Sequence, residues 1–188
     1  MAIGISGAPG SFSEQAALKF AEKNGLGTPT IDFLVSVENV LVKLEKGDIE
    51  YGVFPIENST GGIVIEAVYA MAEHAFEIQE LFEIEVNQNL IVQKGITASD
   101  ITSITSHDQA LKQCRMYLKR MWPAIDLVPY ADTALAAQDL AEGKLPKTTA
   151  VIASARAAEL YGLDILDEKI QDMKFNYTVF VAAKRKSA

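Results

Sequence analysis

Short apolar runs alternate along this chain with segments whose apolar residues recur every three or four positions. Residues 2–6 form an apolar run typical of a buried strand, and residues 12–23 have the spacing of an amphipathic helix. Ser11 precedes that helix and Glu14 follows three positions later, which is the spacing of a capping box. Residues 36–46 repeat the helical pattern. This alternation predicts an α/β fold with mostly parallel sheets.

The pattern changes between residues 76 and 92, where apolar residues fall near every second position. We interpret this stretch as a crossover between two lobes, because no segment of helical length divides it. The first lobe is then expected to comprise residues 1–75 and 176–188, and the second lobe residues 76–175. The other predicted elements are strands over 31–35, 49–56, 101–105, 125–129, 149–153, 163–170 and 176–182, and helices up to His74 and over 108–121, 133–142 and 155–161.

The composition is that of a globular protein with an excess of negative charge. The 188 residues include 17 Lys and Arg against 25 Asp and Glu, for a net charge of −8. An acidic chain argues against binding a nucleic-acid backbone, and the basic cluster at residues 184–186 is predicted to be a solvated tail. No apolar run approaches the roughly 20 residues that span a bilayer, and the start does not resemble a signal peptide. We expect a cytoplasmic protein that binds neither nucleic acid nor membrane.

Cysteine and histidine are too scarce for most metal sites. Cys114 is the single cysteine, so the sequence excludes an internal disulfide and a cysteine-based zinc site. His74 and His107 are the two histidines, which excludes a histidine-rich site. We therefore expect no metal ligand set in this chain.

The strand-to-helix turns are the candidate ligand sites, because open α/β sheets bind ligands outside the carboxyl ends of their strands. In the first turn, Gly7 and Gly10 permit a left-handed backbone or a close approach. The helix start that follows presents unpaired N–H groups suited to an anion. The spacing fits neither the dinucleotide fingerprint nor a P-loop. An ordinary capped turn is the alternative interpretation.

Two further turns carry polar residues with two open interpretations each. Asn58 and Ser59 lie between a buried strand and a helix, where they either cap the helix or bind a carboxylate. Ser106 ends another strand and either caps the next helix or contacts a ligand. The Ser-His-Asp run at 106–108 is not a catalytic triad, because adjacent residues cannot form the relay geometry.

Six motifs in chain order resemble those of the prephenate dehydratases. Each is modestly specific alone, and the six in register cover essentially the whole chain and are strongly specific together. They are Gly7-x-Pro9-Gly10-Ser11-Phe12-Ser13-Glu14-Gln15-Ala16-Ala17, Pro55-Ile56-Glu57-Asn58-Ser59-x-x-Gly62, Ser106-His107-x-Gln109-Ala110-x-x-Gln113-Cys114-Arg115, Thr133-Ala134-x-Ala136-Ala137, Ala157-Ala158-x-Leu160-Tyr161-Gly162-Leu163 and Ile170-Gln171-Asp172.

The resemblance implies a fold and an activity. The fold is a two-lobed α/β domain of the periplasmic-binding-protein kind (type II), with the site in the interlobe cleft and homodimers as the usual assembly. The activity is that of a lyase of L-phenylalanine biosynthesis, which converts the dicarboxylate prephenate to phenylpyruvate, water and CO2 without metal or organic cofactor. The family's regulatory ACT domain is not expected, since the chain stops at Ala188.

The resemblance also assigns residues to the site. Thr178 is the expected catalytic residue, a hydroxyl that donates a hydrogen bond to the leaving oxygen. The expected substrate-binding residues all lie in the first three of these motifs. They are Ser11, Phe12, Glu57, Asn58, Ser59, Ser106 and Gln113.

One motif departs from the family in a way that bears on activity. The family's Thr-Arg-Phe is here Thr178-Val179-Phe180, so a carboxylate-binding arginine is replaced by an apolar residue. Lys174 is the nearest preceding cation and is expected to compensate for the arginine if its loop folds inward. Gln88 stands where the family commonly has histidine. The alternatives to a dehydratase are a non-aromatising prephenate decarboxylase and a non-catalytic small-anion binding protein.

Overall fold

The fold is taken from a computed structural model in which residues 1–186 are described. The chain divides into two compact units, Met1–Glu85 with the segment from Tyr177 onward, and Val86–Asn176. In chain order the elements are β1 (Ala2–Ile5), α1 (Phe12–Lys23), β2 (Thr30–Phe33), α2 (Val37–Lys46), β3 (Tyr51–Asn58), β4 (Gly62–Ile63), α3 (Ile65–Glu73), β5 (Phe76–Glu85), β6 (Asn89–Val92), a short 3₁₀ helix (Ala98–Asp100), β7 (Ser103–Ser106), α4 (Asp108–Gln113), α5 (Arg115–Met121), β8 (Asp126–Pro129), α6 (Thr133–Ala141), β9 (Thr149–Ala153), α7 (Ala155–Tyr161), β10 (Asp164–Asp167) and β11 (Tyr177–Arg185).

The first unit is a mixed sheet covered by helices on both faces. Its strand order is β2-β1-β3-β11-β5, and β4 pairs with β3. β1 lies parallel to β2 and β3, whereas β11 runs antiparallel to both β3 and β5. Residues of α1 form one core with β1, β3, β5 and β11, and residues of α2 and α3 form the core on the other face.

The second unit repeats this arrangement around a smaller sheet. Its order is β10-β6-β9-β7-β8, in which β7 is parallel to β8 and β9 while β6 is antiparallel to β9 and β10. Helices α4 and α5 pack on one face, and α6 and α7 on the other. Within the described part of the chain, no helix is long and apolar enough to cross a membrane.

The structure confirms the α/β fold and corrects three expectations about it. The sheets are mixed rather than mostly parallel, because each contains antiparallel strands next to its parallel pairs. The boundary between the units falls at residues 85 and 86 instead of 75 and 76, since β5 pairs with β11 from Phe76 to Glu85. Lys184 and Arg185 belong to β11 and are not a solvated tail, whereas residues 187 and 188 lie outside the described range.

The helix predicted over residues 108–121 is divided in two at Cys114. Asp172, which lies far along the chain, inserts at the break. Its backbone N–H donates to the Gln113 carbonyl at 2.7 Å, and its carboxylate accepts the N–H groups of Met116 at 2.8 Å and Tyr117 at 3.0 Å. These bonds end α4 and begin α5, so a long-range contact overrides the local helical pattern.

His74 links the end of α3 to α2 through two carboxylates. Its Nδ1 lies 3.0 Å from Glu45 Oε2 and its Nε2 lies 2.8 Å from Glu38 Oε1. Glu45 also accepts the Ala75 N–H at 2.7 Å. The hydrogen bonds to Glu45 and then Glu38 raise the pKa of His74 above its ordinary value, and burial opposes them. The charged imidazolium therefore stabilises this packing.

The stabilisation by His74 is expected to disappear at alkaline pH. Because the pKa of folded His74 is raised, its contribution is complete below the unfolded value of about 6.5 and is lost as the pH rises through the folded value. The free energy of unfolding of the wild type, minus that of His74→Gln, should be larger at about pH 6 than at about pH 9 in urea titrations.

The matched control for this measurement is His107→Gln. The exposed His107 ring accepts a backbone N–H from Gln109 at 3.3 Å, whereas His74 is held by two carboxylates. His107→Gln therefore reports the effect of replacing a histidine without removing the contacts of His74. A His74 effect that is equal at both pH values would contradict the ion-pair account.

Candidate active site

The antiparallel pairing of β11 with β3 places Thr178 directly opposite Asn58. Asn58 Nδ2 donates to Thr178 Oγ1 at 2.9 Å and to the Tyr177 carbonyl at 3.1 Å. Thr178 is buried, with 8% of its surface exposed. Because Thr178 Oγ1 accepts a hydrogen bond from Asn58, the hydroxyl proton of Thr178 must be directed at a different acceptor. The pair therefore sets up Thr178 as a hydrogen-bond donor.

The turn after β3 is held by the other end of the Asn58 side chain. Asn58 Oδ1 accepts the Thr60 N–H at 3.0 Å, the Thr60 hydroxyl at 2.8 Å and the Gly61 N–H at 2.8 Å. This is an Asx turn, in which a side-chain oxygen replaces a backbone carbonyl. Both ends of the Asn58 carboxamide are thus engaged, which fixes the side chain between the turn and β11.

Ser59 pairs with the backbone of Tyr177 in both directions. The Ser59 N–H donates to the Tyr177 carbonyl at 2.9 Å, and the Tyr177 N–H donates to Ser59 Oγ at 3.0 Å. Among the described residues, no side chain caps α3, whose N-cap position is Val64. The interpretation of Asn58 and Ser59 as helix caps is therefore wrong, because both side chains bind β11 and the turn.

Glu57 lies on the opposite face of the sheet from Thr178. In the strand register Glu57 pairs with Val179, and Val179 pairs in turn with Glu83 of β5. Directly opposed residues of a sheet share a face, and successive residues alternate. The structure thus brings Asn58 and Thr178 together. It places Glu57 on the other face of the sheet, next to Val179.

In the first turn, the backbone of Gly7 lies close to the side chain of Ser11, which caps α1. A Cβ on Gly7 would lie 2.6 Å from Ser11 Oγ, so only glycine fits there, and Gly10 has a left-handed φ of 84°. Ser11 Oγ accepts the Glu14 N–H at 3.3 Å, while the Glu14 carboxylate accepts the Gly10 N–H at 2.6 Å instead of the Ser11 N–H expected in a capping box. Phe12 packs partly buried against the α1 core. The turn is a rigid capped structure, and the predicted substrate contacts of Ser11 and Phe12 stay predictions.

Gln113 of the second unit lies at the end of α4 and accepts hydrogen bonds from two side-chain amides. Its Oε1 takes hydrogen bonds from Gln88 Nε2 at 3.1 Å and from Asn176 Nδ2 at 3.0 Å. Gln88 and Asn176 are 4% and 1% exposed. The three residues come from distant parts of the chain and form an amide cluster within this unit, in which Gln88 and Asn176 are buried and Gln113 is half-buried.

Ser106 is enclosed at the end of β7. Its hydroxyl donates to the Ile152 carbonyl of β9 at 2.6 Å, and the residue is fully buried. The N-cap of α4 is His107, so the interpretation of Ser106 as the helix cap is wrong. Its contact with substrate stays a prediction.

Lys174 lines a cavity of about 470 Å³ in the second unit. The wall also carries Arg120, Asp167 and Tyr117, whose hydroxyl donates to Asp167 Oδ2 at 2.7 Å. Burial raises the pKa of Tyr117 to about 12. Over residues 1–186, no three His, Cys, Asp or Glu side chains are grouped as metal ligands. Lys174 as a substitute for the family arginine stays a prediction.

Two residues that donate hydrogen bonds to Gln113 are not among the predicted site residues. Local patterns identify Asn176 only as the start of a strand and Gln88 only as a departure from the family. The available signal was their type, because an amide placed among apolar strand residues must find partners when buried. Which partners it finds depends on chain pairing that local patterns do not contain.

The comparisons with known proteins identify the family. A family model described as prephenate dehydratase matches residues 3–188. The bifunctional chorismate mutase/prephenate dehydratase of Stutzerimonas stutzeri is 34% identical over 95% of this chain and 47% of its own length. Arogenate dehydratase 5, chloroplastic, of Arabidopsis thaliana is 37% identical over 97% of this chain and 42% of its own length. The chain thus spans about half the length of these curated relatives.

Solved structures agree with the fold. A prephenate dehydratase from Arthrobacter aurescens, in complex with L-Phe, superposes with a TM-score of 0.90 at 28% identity, over 100% of this chain and 61% of that one. A putative methionine-binding lipoprotein of Bacillus subtilis gives a TM-score of 0.51 at 14% identity, over 100% of this chain and 83% of that one. The second likeness concerns the fold alone and confirms the periplasmic-binding-protein-like architecture.

The clamp between Asn58 and β11 is expected to stabilise the first unit. Asn58→Asp keeps the side-chain shape but sets an oxygen against the Tyr177 carbonyl, so two acceptors meet where a hydrogen bond was. We expect the free energy of unfolding in urea to fall by about 1–3 kcal/mol.

Asn39→Asp is the matched control for this substitution. Asn39 also donates to a backbone carbonyl, that of Leu34 at 3.0 Å, but it is exposed in the first turn of α2, where a carboxylate is favoured. The control should change stability by less than about 0.5 kcal/mol. An Asn58→Asp loss no larger than that would contradict the clamp.

Proposed function

The chain belongs to the prephenate dehydratase family, and from this premise we propose that it converts prephenate to phenylpyruvate as a carbon–oxygen lyase of L-phenylalanine biosynthesis. The observation that carries the proposal is the Asn58–Thr178 hydrogen bond of 2.9 Å. It orients the one hydroxyl that the family resemblance assigns to catalysis.

The proposed reaction breaks two bonds of the substrate ring. The bond to the ring carboxylate breaks, CO2 leaves, and its electron pair enters the ring. The hydroxyl on the opposite ring carbon leaves as hydroxide and takes up a proton to form water. The ring becomes aromatic, which supplies much of the driving force. The enzyme's task is therefore to hold a dianion and to stabilise charge on the leaving oxygen.

Thr178 fits the second task through geometry rather than acidity. A threonine hydroxyl is a weak acid, so it assists by donating a hydrogen bond to an oxygen that gains charge. Asn58 occupies an acceptor position of Thr178 Oγ1 and thereby keeps the hydroxyl proton from pointing toward Asn58. The burial of Thr178 strengthens this interaction by excluding water.

The predicted substrate contacts are neutral donors, one carboxylate and the aromatic side chain of Phe12. Ser59, Asn58 and Gln113 supply hydroxyl and amide groups, and Ser11, Phe12 and Ser106 complete the predicted set with Glu57. Preorganised neutral donors can stabilise an anion in a site from which water is excluded. We propose no resident metal or organic cofactor, because neither decarboxylation nor loss of hydroxide from this substrate requires an electron carrier.

Loss of the Thr178 hydroxyl is expected to abolish most of the activity. Thr178→Val keeps the branched shape and removes the donor, so kcat for prephenate should fall about 10²–10³-fold. Thr178→Ser keeps the donor and should retain most of the rate. Phenylpyruvate formation is followed by absorbance and mass spectrometry against a reaction without enzyme.

Thr102→Val is the matched control. The exposed Thr102 hydroxyl pairs with Thr148 Oγ1 at 2.9 Å in the second unit, so its loss should leave kcat unchanged. Release of CO2 with a product that retains the hydroxyl would assign the chain as a decarboxylase. Binding of prephenate without turnover would assign it as a small-anion binding protein, and either result would replace the proposed function.

Restoring the family arginine is expected to improve substrate binding. Val179 lies between Glu57 and Glu83 in the strand register, so Val179→Arg places a cation beside two carboxylates. We expect KM for prephenate to fall about tenfold, the effect of one charge-assisted hydrogen bond. Val179→Met is the neutral control of similar length. An equal KM for both variants would show that the missing arginine is not what limits binding.

The proposal also covers the preferred substrate, the cellular location and the oligomeric state of the enzyme. Because relatives at similar identity are named arogenate dehydratases, arogenate, with an amino group in place of the keto group, is assayed beside prephenate, and the higher kcat/KM identifies the preferred substrate. We also propose a cytoplasmic homodimer, which rests on the family resemblance and is measured by sedimentation and cell fractionation.

A further inference from the structure

The cavity of about 470 Å³ in the second unit lies between one face of α5 and residues 167–174. Its volume is in the range of small-molecule sites. The wall includes Arg120 from α5 and both Lys169 and Lys174 from the facing segment. Three cations from separate turns of the chain therefore converge on one concave surface of a protein whose net charge is −8.

The three cationic side chains are unpaired in the described part of the chain. None of them forms an ion pair or a side-chain hydrogen bond with another of residues 1–186. Elsewhere in the same unit, Lys144 pairs with Asp139 and Glu142, and Arg156 pairs with Glu159. Like charges that converge without counter-charges repel one another, and a bound anion would relieve that repulsion.

The carboxylates of the same wall do not pair with these cations. Asp172 accepts the N–H groups of Met116 and Tyr117, one on each oxygen, at 2.8 and 3.0 Å. Asp167 Oδ2 accepts the Tyr117 hydroxyl at 2.7 Å. Glu168 is exposed and has no hydrogen bond within residues 1–186. Two of the three carboxylates are thus held by donors of α5, which leaves the cations available to a ligand.

The backbone of Lys169 indicates that its side chain is needed on this wall. Its φ is 52°, a left-handed conformation that a Cβ disfavours. The Lys169 N–H donates to Oδ1 of the buried Asn89 at 3.2 Å, which holds the turn in this shape. Glycine would adopt the same backbone without strain. The turn alone therefore does not account for a lysine, whereas a charged group at the cavity does.

We propose that this cavity binds a small organic carboxylate at a site separate from the candidate active site. Arg120 can hold a carboxylate through two parallel hydrogen bonds, and Lys169 and Lys174 add point charges. Met116 and Ile170 give the same wall an apolar surface for the rest of the ligand. The inference does not depend on the proposed function.

The test is a calorimetric titration of the protein with benzoate in 0.15 M salt, which is roughly physiological. Arg120→Gln and Lys169→Gln each remove one cation and should weaken binding about tenfold, the effect of one charge-assisted hydrogen bond. Lys119→Gln is the matched control, because Lys119 is an exposed cation of α5 outside the cavity wall. Its dissociation constant should stay within about twofold of the wild type.

Two results of this titration would overturn the proposal. Equal weakening by all three variants would show that only the overall charge matters. A wild type that does not bind benzoate at millimolar concentration would show that the cavity is not a carboxylate site.

Lys169→Gly separates a ligand role of Lys169 from a structural one. Glycine suits the left-handed backbone, so the melting temperature should stay the same or rise. Benzoate binding should weaken as much as in Lys169→Gln, because both variants lose the ammonium group. A lower melting temperature with unchanged binding would overturn the role of Lys169.

Two further titrations test the chemistry of the ligand. Acetate carries the carboxylate without an apolar body and should bind more weakly than benzoate, and equal affinities would overturn the assignment to an organic anion. Glu168→Gln removes a negative charge from the wall and should tighten benzoate binding about twofold. Weaker binding in Glu168→Gln would contradict an anion site.

Steady-state kinetics separate the cavity from the candidate active site. Lys174 is also a predicted replacement for the family arginine, so this comparison uses Arg120→Gln and Lys169→Gln. Both variants should keep the wild-type KM for prephenate while they lose benzoate binding. A KM raised in both would assign the cavity to the substrate site and overturn the separate site. Because the titrations need no turnover, a protein inactive on prephenate would fail the proposed function and leave this inference to be decided by binding.

Discussion

The pairing of β11 with β3 and β5 is the interaction on which both the first unit and the candidate site depend. β5 enters the sheet order through β11, and β11 contributes Phe180 and Ala182 to one core and Val181 and Ala183 to the other. The same pairing sets Thr178 opposite Asn58. The core of the first unit and the donor geometry of its predicted catalytic residue therefore depend on the same strand.

This arrangement requires the whole second unit to be inserted between two neighbouring strands. Loop closure over a long flexible segment costs conformational entropy that grows with its length. Here the cost is limited because the inserted unit is compact and its two ends are joined by the bond from the Val86 N–H to the Asn176 carbonyl at 2.7 Å. The second unit thus behaves as a folded connection between β5 and β11, and its last residue, Asn176, also donates a hydrogen bond to Gln113 Oε1.

Local patterns were sufficient for elements whose boundaries are set locally. The predicted limits of α1, β9 and α7 match the structure. Ser11 and Ser154 cap the starts of α1 and α7, and Gly162 caps the end of α7, so these limits are set by ordinary local caps. The break at Cys114 was not predictable, since the carboxylate that causes it comes from Asp172. The candidate site likewise has features that local motifs predict and features that depend on long-range pairing. Sequence motifs named Asn58 and Thr178, but only the register of β3 and β11 shows that they are bonded and that Glu57 lies on the other face.

The pairing of β11 does not require a charged residue at Val179. Glu57 and Glu83 flank Val179 on the two neighbouring strands, so their side chains are separated by two strand spacings, roughly 10 Å. Two exposed like charges at that distance repel by less than thermal energy in water, and physiological salt screens them further. The strand pairing therefore does not need a cation at this position. Under the proposed function, the consequence of Val179 is therefore expected in the affinity for a carboxylate rather than in the stability of the sheet.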